Sequence, residues 1–215
     1  MGHRFNGRAL EAYIITGDKK ITKTIIMTFA VHGYEDSYKK DGKVLVKEAN
    51  KLIEYYAKNP DKLKNTRVII IPCVNPDGTI AGKNNLRSGS KAFGRCIAKG
   101  VDMNRDFVSG KFKAKESRAL KSFMDDYEPD IFLDFHGWLN ESIGNSNICK
   151  LATSKLGLKY SQKGVYAVKS GYLYAYAYKQ YGAASALIEF KSPSSVSHKK
   201  VYTFTNAVIS KYNKK

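Results

Sequence analysis

At 215 residues, of which 43% are hydrophobic, the chain is long enough for a central sheet covered on both faces and is not typical of a disordered segment. Its formal charge of +18 favours polyanionic surroundings such as nucleic acid, an anionic cell wall or acidic lipid. The lysines are scattered, and no aromatic-basic platform or recognition-helix pattern accompanies them. We therefore expect an anionic cell-wall polymer as a partner, and no nucleic acid. No apolar run approaches the roughly 20 residues that cross a bilayer, so no transmembrane segment is expected.

The amino-terminal residues and the cysteines bear on the compartment. Met1 to Phe5 lack the apolar stretch of a secretory signal, so the protein is either cytoplasmic, or secreted or cell-wall associated with its signal already removed. The net positive charge favours the secreted or cell-wall-associated location. Cys73, Cys96 and Cys149 are too few and too irregularly spaced for a disulfide scaffold or a cysteine zinc site. Cys73 is expected to be a small buried residue, and pairing of the other two is left open.

Strand and helix patterns alternate in the first half of the chain. Two strands rich in Ile are predicted first, from Leu10 to Thr16 and from Thr24 to Val31. Apolar residues at three- and four-residue spacing predict a helix from Lys43 to Lys58, and a short buried strand follows from Arg67 to Ile71. The next region, from Pro72 to about Gly110, is rich in Gly, Asn and Ser, and a loop of that length is usually functional.

The second half continues the alternation with a helix from Lys115 to Asp126 and a strand from Asp130 to Phe135. Tyr172 to Tyr178 alternates with the period of a strand, but a helix stop follows it at Gly182. The last core strand is predicted from Ala184 to Phe190, and a closing helix covers Ser197 to Tyr212. This order predicts an α/β fold, a three-layer α/β/α sandwich whose central sheet is mixed and mostly parallel, in a single domain over residues 1–215.

Histidine and acidic residues lie where predicted strands end. His32 and Glu35 follow the strand that ends at Val31, and His136 follows the strand that ends at Phe135. Ligands collect at the carboxyl ends of parallel strands, so these side chains are expected to share a site. Zinc accepts nitrogen and oxygen ligands at about 2.0–2.2 Å, and two imidazoles with one carboxylate leave a position for water, as in a catalytic zinc site.

Glu189 is unusual because it lies between Ile188 and Phe190 in a predicted core strand. Burying an unpaired carboxylate is expensive, so such a residue tends to have a charged partner or a role in a mechanism. We interpret Glu189 as a candidate general base, which takes a proton from water and passes it to a leaving group.

Five motifs follow one another in a specific order. They are His32-Gly33-Tyr34-Glu35, Asn75-Pro76-Asp77-Gly78, Asp102-Met103-Asn104-Arg105, Asp134-Phe135-His136 and Ile188-Glu189-Phe190. With this set the chain resembles the zinc carboxypeptidase family (M14 metallopeptidases), from about Phe5 to the last helix. The resemblance implies the family's fold, a peptide substrate and Glu189 as general base. It also implies one zinc ion bound by His32, Glu35 and His136. It also favours a helix over Tyr172 to Tyr178.

The resemblance implies further roles for residues of the long loop. Asp102 accepts the free ring N–H of His32, which fixes the tautomer of the ligand. Asn104 and Arg105 bind the terminal carboxylate of a substrate, which a guanidinium meets with two parallel hydrogen bonds. This pair directs the enzyme to chain ends.

Four more positions are assigned on the same basis. Arg87 matches the arginine that polarises the scissile carbonyl, and Arg95 ranks second for that role. Tyr166 matches the tyrosine that folds over the substrate, and Tyr174 matches the floor of the side-chain pocket, where no acid stands to select a basic residue. His136-Gly137-Trp138 departs from the family's tripeptide, which reshapes the subsite on the amino side of the cleaved bond.

The compact chain resembles bacterial family members that trim peptidoglycan stem peptides. We therefore predict a zinc metallocarboxypeptidase that hydrolyses a C-terminal peptide or γ-glutamyl bond, such as γ-D-glutamyl-diaminopimelate. Two alternatives stay open, a zinc-dependent N-acyl-amino-acid deacylase and a non-catalytic wall-binding module on the same fold. Asn104 and Arg105 favour the peptidase over the deacylase, and the intact ligand set with Glu189 argues against the module.

Overall fold

The computed structural model describes residues 8–17, 20–35, 41–82, 93–97, 99–108, 111–161 and 171–213. The strands among them are β1 (Tyr13–Thr16), β2 (Lys23–Phe29), β3 (Thr66–Ile71), β4 (Ile131–Gly137), β5 (Glu141–Gly144), β6 (Lys159–Tyr160) and β7 (Ala184–Phe190). The helices are α1 (Gly42–Lys58), α2 (Pro76–Ala81), α3 (Lys115–Tyr127), α4 (Ser146–Leu156), α5 (Leu173–Tyr181) and α6 (His198–Tyr212). Short 3₁₀ turns cover Pro60–Leu63, Met103–Arg105 and Pro193–Ser195.

These strands form one mixed sheet in the order β1-β3-β2-β4-β7-β5-β6. The central strands β3, β2, β4 and β7 are parallel to one another. β1 pairs antiparallel with β3, and β5 pairs antiparallel with β7 and parallel with β6. Central parallel strands are covered on both faces, which explains their continuous apolar runs. The predicted α/β class with a mostly parallel central sheet is confirmed.

Alternate residues of β2 supply two separate cores, because successive strand side chains point to opposite faces. Ile25, Met27 and Phe29 pack with residues of α1, α4 and α6, while Ile26 packs with residues of α3 and α5. The sheet is therefore the middle of three layers. No helix among the described residues has both the length and the apolarity to cross a bilayer.

Sequence patterns missed the stretch that forms β5, α4 and β6. These strands are only four and two residues long, too short to show a clear period. The start of α4 was marked by Asn145, whose Oδ1 accepts hydrogen bonds from the backbone nitrogens of Asn147 and Ile148. The long loop that was expected after β3 contains the helix α2, and the helix expected over the tyrosine-rich segment is confirmed as α5.

The cysteines carry no disulfide bond. Cys96 and Cys149 are both buried, and no disulfide bond joins them. Cys73 is less buried than expected, and its Sγ lies 3.3 Å from Oγ1 of Thr79.

Candidate active site

Two neighbouring strand ends bring the predicted metal ligands together. β2 and β4 pair in parallel with Phe29 opposite Phe135, so the residues that follow them lie at one edge of the sheet. His32 and Glu35 lie on the loop after β2, and His136 lies near the end of β4. The edge is the one at which parallel sheets bind their ligands.

The loop that carries His32 and Glu35 packs closely against the backbone of α2. A Cβ atom at Gly33 would lie 2.4 Å from the carbonyl carbon of Gly78 and 2.4 Å from the nitrogen of Thr79. Only glycine fits there, so the position between the two ligands is set by close backbone contact.

Both oxygens of Glu35 lie next to an imidazole nitrogen. Oε2 is 3.0 Å from Nδ1 of His32, and Oε1 is 3.0 Å from Nδ1 of His136. All three residues are buried, and one ligand atom from each lies within 4.8 Å of the others. Over the described ranges no second group of three such residues converges in this way.

This donor set fits zinc. Two imidazoles and a carboxylate are ligands that zinc accepts, and three protein ligands leave room for a water molecule. Zinc binds deprotonated nitrogen, so it competes with the protons that join His32 and His136 to Glu35. The other ring nitrogens already face carboxylates, which favours the tautomer with Nδ1 available to a metal.

The carboxylates that face Nε2 of the two histidines belong to Asp102 and Asp134, and they contact the rings in different ways. Oδ1 of Asp102 lies 3.0 Å from Nε2 of His32 and also accepts a 2.9 Å hydrogen bond from the backbone nitrogen of Asn104. Oδ2 of Asp134 lies 3.1 Å from Nε2 of His136, an ion-pair distance without hydrogen-bond angles. Asp102 was predicted in this position. Asp134 was not, although the strand period places it on the same face as His136.

The charges of this cluster depend on each other. Burial alone raises the pKa of Glu35, but the two imidazoles outweigh burial and lower the pKa to about 2. Burial likewise opposes ionisation of Asp102, yet its bond to His32 holds the pKa well below the usual range. Burial lowers the pKa of both imidazoles, and their carboxylate partners more than offset it, so both pKa values are raised.

Glu189 lies beside this cluster on the next strand. It is opposite His136 in the pairing of β4 with β7, and only 7% of the residue is exposed. Burial raises the pKa of Glu189 to about 7, with the carboxylates of Glu35 and Asp134 adding to the rise and the imidazoles opposing it. Its Oε2 has no hydrogen-bond partner within the described part of the chain. A buried oxygen of this kind is suited to hold a water molecule or a reacting group.

A cavity of about 460 Å³ opens at this edge of the sheet. His32, Glu35 and Glu189 line it. The remainder of the wall mixes apolar and charged side chains, among them Trp138, Glu141, Ile143, Tyr172, Leu187 and Lys191.

Asn104 and Arg105 also line the cavity, and neighbouring groups orient both. Oδ1 of Asn104 accepts a 3.0 Å hydrogen bond from the backbone nitrogen of Leu173, so its amide nitrogen points elsewhere. The guanidinium of Arg105 donates a 2.7 Å hydrogen bond to the carbonyl of Asn104 and lies 4.1 Å from the ring centroid of Tyr172. Stacking on an aromatic ring restricts the guanidinium and leaves its remaining donors available.

Arg95, the second candidate for the arginine that polarises the scissile carbonyl, lies at the cavity. Its Nη1 lies 3.9 Å from Oε2 of Glu35, its Nη2 lies 3.7 Å from Oδ2 of Asp102, and the residue is buried at the cavity wall. Arg87 and Tyr166 lie outside the described residues, so their roles stay predictions.

The assignment of Tyr174 to the pocket floor needs correction. Its side chain is 2% exposed and packs in the apolar cluster of α3 and α5, whereas Tyr172 lines the cavity. Tyr172 lies just before α5 with extended dihedral angles, and its ring centroid is 5.8 Å from that of Tyr174, so the two rings are neighbours but Tyr174 does not line the cavity. Spacing along the sequence alone did not reveal where the helix begins.

Comparisons with known proteins agree with this geometry. The zinc carboxypeptidase family model matches residues 1–195. Bacteriocin BCN5 of Clostridium perfringens is 31% identical over an alignment that covers 91% of this chain and 23% of the bacteriocin. The chain thus spans about a quarter of that curated relative.

Solved structures show the same fold at low identity. A metallo-carboxypeptidase from Pseudomonas aeruginosa is 14% identical with a TM-score of 0.70, over 97% of this chain and 63% of its own. The murein-tripeptide amidase MpaA from Escherichia coli O157 is 16% identical with a TM-score of 0.66, over 97% of this chain and 90% of its own. An α/β fold of this kind and a buried His-Glu-His group that could hold a metal ion thus occur together in this chain. The chain belongs to the zinc carboxypeptidase family.

Proposed function

We propose that this protein removes a C-terminal residue from bacterial cell-wall peptides by cleaving a peptide or γ-glutamyl bond. The observation that carries the proposal is that one cavity is lined by His32 and Glu35 of the metal-binding group, by Glu189 and by Arg105. A metal site, a proton acceptor and a fixed carboxylate-binding group are what exopeptidase chemistry requires in one place.

Each of these residues has a distinct task in the proposed reaction. Asn104 and Arg105 bind the terminal carboxylate, which positions the last peptide bond beside Glu189. Glu189 takes a proton from water on its carboxylate and delivers it to the leaving amine. Zinc, when bound by His32, Glu35 and His136, polarises the scissile carbonyl and activates water.

Stabilisation of the carbonyl oxygen is assigned to an arginine of the long loop. Arg87 keeps this role from the sequence comparison with the family, and Arg95 is the alternative because it already lies on the cavity wall. A fixed donor at a developing negative charge contributes about 3–4 kcal/mol of transition-state stabilisation in comparable sites.

Three observations support a cell-wall substrate. One similar structure is a murein-tripeptide amidase, and one relative bears the name bacteriocin. The net charge of +18 complements an anionic wall polymer. Glu141 and Lys191, which carry opposite charges, both line the cavity and suit a polar terminal residue better than an apolar one. By the same reasoning we propose that the protein acts outside the cytoplasm, at the wall.

Digestion of purified muropeptides with zinc-loaded protein tests the proposal. Mass spectrometry is expected to show release of one terminal amino acid, whose identity defines the pocket. Plain peptides and N-acyl amino acids serve as competing substrates. Cleavage of acyl amino acids alone would establish the deacylase instead, and cleavage at internal bonds would contradict the proposed action on chain ends.

Arg105→Met is expected to reduce the preference for substrates with a free terminal carboxylate. Hydrogen bonds to charged groups contribute about 1.5–3 kcal/mol, so kcat/KM for a free-acid peptide should fall roughly 10- to 100-fold, mainly through KM. The same peptide with an amidated terminus should be affected far less. Kinetics on the matched pair of peptides measures the difference.

Arg118→Met is the matched control for this variant. Arg118 also donates hydrogen bonds to backbone carbonyls, at 2.8 and 3.0 Å, but it lies on α3. Arg118→Met should leave the discrimination between free-acid and amidated peptides unchanged. If Arg105→Met discriminates between acid and amide as well as wild type does, Arg105 does not bind the terminus.

A further inference from the structure

The geometry points to Asp41 as a positioning residue. It holds the loop after β2 that carries His32 and Glu35, the metal-binding loop, against the cavity wall. Its Oδ1 accepts a 2.6 Å hydrogen bond from the backbone nitrogen of Glu35, and its Oδ2 accepts a 2.8 Å hydrogen bond from Nε1 of Trp138. The residue is fully buried. The inference depends on the zinc site but not on the identity of the substrate.

Helix capping does not explain this carboxylate. Asp41 occupies the N-cap position of α1, where an aspartate ordinarily accepts a hydrogen bond from the first turn of the helix. Here it makes no side-chain cap hydrogen bond and has helical dihedral angles, φ −63° and ψ −26°. Both oxygens are instead directed at groups of the active site.

The two contacts join segments that are far apart in the sequence. Glu35 supplies the carboxylate of the metal-binding group, and Trp138 lies two residues beyond the ligand His136 and lines the cavity. One buried carboxylate therefore connects the loop after β2 to the end of β4. Hydrogen bonds to an ionised acceptor are short and strong, so this connection is stiff.

The start of α1 itself is held in place. A Cβ atom at Gly42 would lie 2.3 Å from the carbonyl oxygen of Gly33, so the first helical residue touches the backbone of the metal-binding loop. Asp41 cannot move away without moving that loop. It is therefore anchored well enough to orient Glu35 from behind.

Asp41→Asn is expected to weaken zinc binding 10- to 100-fold, about the loss that follows mutation of groups that orient metal ligands. The asparagine oxygen still accepts the hydrogen bond from Glu35, but its amide group then faces the indole N–H of Trp138, donor against donor. Zinc affinity is measured by competition with a chromophoric chelator, so the readout does not depend on turnover.

Trp138→Phe removes the indole donor and keeps the bond between Asp41 and Glu35. It is expected to weaken zinc binding only a few-fold and to raise KM more than it lowers kcat, because Trp138 lines the cavity. The double variant should bind zinc no more weakly than Asp41→Asn alone, since both changes remove the same contact. Trp138→Phe also keeps the inference testable should Asp41→Asn fail to fold.

Asn145→Ala is the control for loss of a helix-end side chain. Asn145 caps α4 with two hydrogen bonds, so its loss should lower the melting temperature without changing zinc affinity. If Asp41→Asn behaves like Asn145→Ala, with zinc affinity within twofold of wild type, Asp41 has only a structural role and the inference is overturned. Wild-type protein that binds no zinc would contradict the metal site and the proposed function instead.

Discussion

Replacing Glu189 with Gln is expected to reduce hydrolysis roughly a thousandfold while leaving zinc binding intact. Proton transfer by a positioned side chain contributes about 10²- to 10⁴-fold to rates, and an amide of the same shape cannot accept a proton. Glu189 is not part of the buried group that binds the metal, so zinc affinity should not change. Initial rates and a zinc titration on the same preparation separate the two effects.

The pH dependence of hydrolysis by the wild type should reflect the ionisation of Glu189. Hydrolysis should fall as the pH falls through the pKa of Glu189, because the protonated carboxyl can no longer take up a proton. Burial raises this pKa to about 7, and a bound divalent cation nearby lowers it, so the acid limb lies below that value. The residual activity of Glu189→Gln should lack this limb.

Glu48→Gln is the control for removing a buried carboxylate. Glu48 is buried on α1 with its Oε1 2.9 Å from Nδ1 of His198 on α6, and neither residue lines the active-site cavity. This variant should change stability but keep the wild-type rate. Hydrolysis by Glu189→Gln at the wild-type rate would exclude Glu189 as the general base.

The site could be predicted from the sequence because the ends of parallel strands follow simple rules. Parallel strands end at the same edge, so His32, Glu35 and His136 could be grouped before any distance was known. Glu189 was conspicuous because it is an acid in an apolar strand. Burial in that strand is what raises its pKa. These signals are local in the sequence, and the structure places all four residues together.

Features that depend on distant contacts were not predictable. The hydrogen bond between Asp41 and Trp138 joins residues 97 positions apart, and the local sequence around Asp41 indicates only the start of a helix. Tyr174 was misplaced because the sequence does not reveal which tyrosine of this segment lines the cavity. The burial of Arg95 beside Asp102 could not be predicted because it follows from loop packing that no sequence period records.

Glu35→Gln is expected to abolish zinc binding in practice and hydrolysis with it. The carboxylate of Glu35 faces both imidazoles, and a neutral amide is a poor ligand whose NH₂ group would oppose one ring N–H. A ligand that binds only the folded state stabilises it by about 2.7 kcal/mol at 100 times its dissociation constant. Zinc should therefore raise the melting temperature of wild type but not of the variant.

Glu116→Gln controls for loss of a buried glutamate, because Glu116 is buried in the first turn of α3 and does not belong to the metal-binding group. It should keep the full zinc-dependent rise in melting temperature. Glu35→Gln should also lower the pKa of both imidazoles in metal-stripped protein, because their shared negative partner is gone. An undiminished zinc response in Glu35→Gln would show that the carboxylate only orients the imidazoles and that the cation is bound by the two histidines without it.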